Sequence, residues 1–127
     1  MKRTRMKATR KHDPAEAPAR RTVYARSGGY CEIRIPGVCV GRGEHWHHRL
    51  NRSTGGLWSG SNGLHACHRC HAAVTDRRPE HVTAGWCVQP WRVPAEVPVY
   101  LSGRAWVLLD DDGGVTATTT PIETEAA

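Results

Sequence analysis

Residues 45–53 read HWHHRLNRS, and the reading of this stretch decides the fold. His45, His47 and His48 fall within four positions, with Arg49 and Arg52 close behind. Imidazole is the commonest metal ligand and the usual general base near neutral pH. Working outward, 45–50 is expected to be a short strand. The segment 51–61, NRSTGGLWSGS, is turn-rich, and 63–66 forms the returning strand. A helix then runs from Cys67 or His68 to about Thr75, ended by Arg77, Arg78 and Pro79. The stretch is thus half of a β-hairpin that leads into a helix.

The bulk composition limits what can surround this unit. The chain has 127 residues, no Phe and only two Met. A core this thin needs disulfides, a metal or a partner, and five cysteines are present. No apolar run is long enough for a signal peptide or a membrane span, so no membrane partner is expected. In a reducing compartment paired cysteines bind metal more often than they form disulfides. Net charge is +6, unevenly placed. Residues 1–30 carry nine Lys or Arg against Asp13 and Glu16, whereas 93–127 carry only Arg104 against six acids. A basic front suits a polyanion such as nucleic acid, and equally a solubilising tail.

The expected layout is a disordered basic arm over 1–17, a core over 18–92, a strand extension over 93–115 and a flexible tail over 116–127. Within the core, 18–27 is expected to be a short helix stopped by Gly28 and Gly29, and 80–84 a helical turn. WCVQPW, VPVYL and RAWVLLD read as short strands, with a turn at DDDGG. The fold class is α+β.

Cys67 and Cys70 have the two-residue spacing of a metal knuckle, and Cys31 and Cys39 supply a second pair with seven residues between them. Four thiolates around zinc leave no open position, which marks a structural metal. His65 or His68 in place of one cysteine is the variant of this reading, and four unrelated thiols its opposite. Cys87 reads as a small buried apolar residue.

The hairpin and helix would bring His47-His48, Asn62 and His71 together. Adjacent strand residues point to opposite faces. One histidine of the pair can therefore bind a metal with His71 while the other takes a proton from water. Phosphodiester hydrolysis needs those parts. Asn62 could orient an imidazole through its amide.

The stretch Tyr30–His71, with Cys31, Cys39, His47-His48-Arg49, Asn62, Cys67, Cys70 and His71, resembles the HNH endonuclease family. HHRLNRSTGGLWSGSNGLHACHRCH, AGWCVQ and PVYL extend the resemblance to small HNH proteins of actinobacterial bacteriophages, over about residues 20–110. The resemblance implies a ββα-metal core with a zinc knuckle. It makes His48 the general base, His47 and His71 the ligands of a catalytic Mg, Mn, Ni or Zn ion, and Asn62 the orienting residue. Cys31, Cys39, Cys67 and Cys70 become the structural zinc ligands. His47 stands where the family often has Asp, and Thr75 stands where a further histidine one turn after His71 would fall. The implied activity is metal-dependent hydrolysis of DNA, by nicking or double-strand cutting. It carries no small-molecule organic cofactor. The implied setting is the host bacterial cytoplasm, beside phage terminase subunits.

Other residues have plainer readings. Arg49 is the expected phosphate contact, Arg52 less so, since a guanidinium matches phosphate geometry. His45 shares a face with His47 and is either a phosphate or second-layer contact or a surface residue. His65 is read as a core or zinc-side residue, His68 and His81 as surface residues. The five tryptophans supply the aromatic bulk that the missing Phe does not. The rivals are a non-catalytic zinc-ribbon DNA-binding module, which would not need His47, His48, Asn62 and His71 together, and a homing-type enzyme with longer target recognition.

Overall fold

A computed structural model describes residues 12–120 as a small α+β unit with short antiparallel strands. The basic segment 1–11 and residues 121–127 lie outside the described residues. Helix α1 spans Glu16–Ser27, strands β1 and β2 span His45–His48 and Gly63–Ala66, and α2 spans His68–Val74. Helix α3 covers Pro79–Thr83. A meander of β3 (Val99–Leu101), β4 (Ala105–Leu109) and β5 (Val115–Ala117) ends the described chain.

The hairpin is the middle layer. In its register Trp46 faces His65 and His48 faces Gly63 on one side, while His47 pairs with Leu64 and His45 with Ala66 on the other. The first side packs on α1 through Ala19, Val23, Tyr24, Trp46 and Trp58. The second packs on α2 and the meander through Leu64, Ala66, Cys70, Val74, Val99, Val107 and Leu109. Each buried aliphatic side chain there contributes about 1.5–3 kcal/mol. Gly63 is required in this arrangement because the Trp46 ring lies across it, and a Cβ would overlap the indole.

Helix α1 begins two residues before the expected start and stops where Gly28 turns left-handed at φ 64° and donates its N–H to the Tyr24 carbonyl. It is tied to the hairpin by Arg26. That guanidinium pairs with the buried Glu32 at 2.8 Å and donates to the Gly60 and Gly63 carbonyls, while Glu32 accepts the His65 N–H. A buried ion pair of this kind holds because its remaining donors and acceptors are also satisfied.

Three expectations are corrected. WCVQPW is not a strand: the Trp86 and Cys87 N–H groups both go to the His81 carbonyl, and the Val88 N–H goes to Arg49. The tail does not begin at Thr116, since Val115–Ala117 pairs with β4 and the Thr118 N–H reaches Trp106. The arm does not reach residue 17, because α1 starts at Glu16. The extension also shares the core of the hairpin and α2, through Val99, Val107 and Leu109.

Arg49 carries the largest correction. It is fully buried, not facing a groove. Its Nε donates to Gly85, one terminal nitrogen to Ser61 and Pro94, and the other to Val97, all carbonyl oxygens at 2.8–3.0 Å. Burial, with the charge of Arg26 adding, pulls its pKa down to about 9. We expect Arg49→Met and Arg49→Lys each to cost at least about 3 kcal/mol in urea denaturation, because an unpaired buried acceptor costs about 1–3 kcal/mol and an ammonium lacks the planar fork. A phosphate contact would instead leave the urea midpoint unchanged.

Candidate functional site

The four cysteines meet at the base of α2. Cys31, Cys39, Cys67 and Cys70 place their sulfurs within 4.8 Å of one another, and Cys39 Sγ lies 3.9 Å from Cys67 Sγ. Sulfurs at about 2.3 Å from a tetrahedral zinc lie about 3.8 Å apart, so the set fits a metal such as zinc. The seven-residue gap closes because the chain turns back on itself: Val38 and Cys39 donate to the Ile35 carbonyl, and Cys31 pairs with Gly41. Backbone N–H groups of Ile35, Val40, Gly41 and Cys70 point at the sulfurs of Cys70, Cys67, Cys39 and Cys67 at 3.3–3.5 Å. Such donors favour thiolates. Burial alone would raise the Cys67 thiol, but the N–H groups of Val40 and Cys70 bring it down to about 6. Burial pushes Cys70 up, and a bound cation would reverse that. His65 and His68 are not part of this cluster. His65 lies on the α1 side, its Nδ1 2.7 Å from Ser27 Oγ, and His68 is exposed with its Nδ1 2.8 Å from Glu44.

A cleft of about 430 Å³ is lined by Trp46, His47, His48, Arg52, His71 and Arg77, among others. The His47 and His71 rings stand 5.5 Å apart in an edge-on arrangement. His47 Nε2 lies 2.7 Å from the Trp86 carbonyl, which fixes the proton on that nitrogen and leaves the Nδ1 lone pair free. Burial holds His47 at about 3, despite the carbonyl that favours its charged form. Burial and the charge of His45 lower His71 as well. Neutral imidazoles are the ligand form.

His48 is placed differently from the expectation. Its ring sits edge-on to Trp46 and Trp58, with centroids 5.7 and 4.6 Å away. Its Nδ1 accepts the Trp46 indole N–H at 3.1 Å, so a neutral ring carries its proton on Nε2. That Nε2 is covered and without a partner. Burial, with Arg52 and Arg20 adding, lowers His48 to about 4. The proton-accepting nitrogen is therefore occupied by Trp46.

Asn62 holds backbone, not imidazole. Its Oδ1 accepts the Leu50 N–H and its Nδ2 donates to the Leu50 and Leu57 carbonyls, at 2.7–3.1 Å. It locks both ends of the loop after β1. Arg77, read from the sequence as a helix end, is a cleft residue: it donates to the Arg49 and Val88 carbonyls and to Asn51 Oδ1. No periodicity marks it, since its position depends on a left-handed φ of 54°. Arg52 is exposed at the cleft with its guanidinium 5.8 Å from the Trp58 ring. His81 is buried within 3.2 Å of Asp76, not a surface residue. Cys87 is buried as expected, its thiol directed at the Val74 carbonyl.

No protein-family model, curated protein or solved structure matches the chain.

Two outcomes follow. Cys67→Ser, or chelation of the metal, should lower the thermal midpoint by 10 °C or more, on the order of 2–3 kcal/mol, with one zinc per chain lost by native mass spectrometry. His47 and His48 stay neutral in the folded chain at pH values where an unfolded imidazole, near 6.5, takes up a proton. The unfolded state thus binds more protons below about pH 6.5, and stability falls as pH drops through that window. Urea midpoints should be lower at pH 5 than at pH 7, and His47→Gln should narrow the difference.

Proposed function

We propose that the chain is a metal-dependent endonuclease of the HNH type that hydrolyses DNA phosphodiester bonds. The observation that carries this reading is the hairpin and helix that set His47 and His71 5.5 Å apart in a cleft shared with His48, Arg52 and Arg77. The free Nδ1 of a neutral His47 is the chemistry a divalent cation requires. Mg, Mn, Ni or Zn bound there supplies Lewis-acid stabilisation of the developing oxygen charge. His47 and His71 hold that cation in the cleft. Arg77, fixed by its backbone bonds, and Arg52, exposed, draw the phosphate in.

His48 is the base in this reading. Its neutral Nδ1 takes a proton from water as the water oxygen bonds to phosphorus and the bond to the departing sugar oxygen breaks, that oxygen leaving protonated by solvent. The step requires the ring to turn out from between Trp46 and Trp58 and to release the indole N–H. The wider setting, a phage product working with terminase subunits in the host cytoplasm, rests on the resemblance over about residues 20–110 alone.

A second reading, a non-catalytic zinc-ribbon DNA-binding module, is favoured by the covered His48 and the buried Arg49. Incubation of zinc-loaded protein with supercoiled plasmid and, in parallel, Mg²⁺, Mn²⁺, Ni²⁺ or Zn²⁺ separates the two. The enzyme reading expects nicked or linear product, reduced at least about a hundredfold by His48→Ala. Intact plasmid with both proteins, alongside retained DNA binding, would establish the module instead.

A further inference from the structure

We infer that His45 is a third ligand of the cation at His47 and His71, making the site a three-imidazole face that prefers a nitrogen-seeking ion to Mg²⁺. The inference rests on the proposed ion site at those two residues.

Strand alternation puts His45 and His47 on the same side of β1, two residues apart, with His48 on the other. Helix α2 crosses that side and carries His71 between them. The His45 and His71 centroids are 5.3 Å apart, the His47 and His71 centroids 5.5 Å. Two imidazoles bound to one tetrahedral ion through nitrogens at about 2.0–2.1 Å have centroids about 5 Å apart. Both pairs therefore already have the separation of rings that share an ion.

The His45 ring is also uncommitted. The adjacent carboxylate, Glu44, is held by His68 at 2.8 Å. Among the described residues only the four cysteines already bring their ligand atoms within 4.8 Å of one another. Closing the histidine site takes a turn of the His45 ring, and its exposed position leaves that turn free. Three imidazole nitrogens and an open position suit Zn²⁺, Ni²⁺ or Co²⁺, whereas Mg²⁺ prefers oxygen ligands and retained water.

The test is calorimetric titration of Ni²⁺ into full-length protein whose cysteine site already holds zinc, using wild type, His45→Ala, His47→Ala and His71→Ala. Each variant's thermal midpoint is checked, and that of His45→Ala should match wild type because the residue is exposed. The expected result is one Ni²⁺ per wild-type chain, with affinity reduced at least about tenfold by His45→Ala. Wild-type affinity in His45→Ala, with losses in His47→Ala and His71→Ala, overturns the third ligand and leaves the two-ligand site standing. Absence of a second ion in the wild type overturns both.

Discussion

Arg49 is the constraint on which the rest of the structure depends. Its charge is fully buried and no carboxylate bonds to its guanidinium, which is satisfied instead by carbonyl oxygens of residues 61, 85, 94 and 97. Those carbonyls come from the approach to β2, the turn after α3 and the segment leading to β3. An unsatisfied buried cation would cost several kcal/mol, so the fold persists only where all four oxygens converge. Convergence fixes where the chain leaves β1, and its backbone carbonyl in turn receives Arg77 and the Val88 N–H. Cleft walls and hydrophobic core are joined at this one side chain.

The hairpin divides the chemistry between two environments. On the α1 side, aromatic rings enclose His48 and hold its lone pair. On the α2 side, burial lowers the pKa of both His47 and His71, which line the cleft together with His48, Arg52 and Arg77. Adjacent residues in sequence thus differ in what they can do: both line the cleft, but the pleat sets the His48 ring edge-on to Trp46 and Trp58 and leaves the His47 Nδ1 free.

Much of this was legible in the residues. Period and turn signals placed β1, β2 and α2 within a residue or two, since short strands with flanking Gly and Asn and a cysteine-capped helix depend on local chemistry. The four cysteines also met as their spacing suggested. Side-chain targets were less legible. Arg49 and Asn62 both turned to backbone, because a carbonyl partner leaves no mark in the sequence. The aromatic enclosure of His48 depends on Trp58 returning from a loop ten residues away. Strand β5 was missed for a related reason: Val115-Thr-Ala is only three residues long and exposed, and only its pairing with β4 makes it a strand.

The start of α2 has one more consequence. Its cap is a sulfur: Cys67 Sγ accepts the Cys70 N–H, and His71 follows within the same turn. Helix origin, metal ligand and cleft imidazole are therefore one covalent run. Thiolates oxidise stepwise to sulfenic and sulfinic acids, which bind zinc poorly and cap a helix differently. Oxidation of Cys67 would weaken the hold of the four cysteines on any bound metal and loosen the first turn, which carries His71. Any chemistry performed in the cleft is tied to the reducing potential of its surroundings, although none of the cleft-lining residues is itself a redox group.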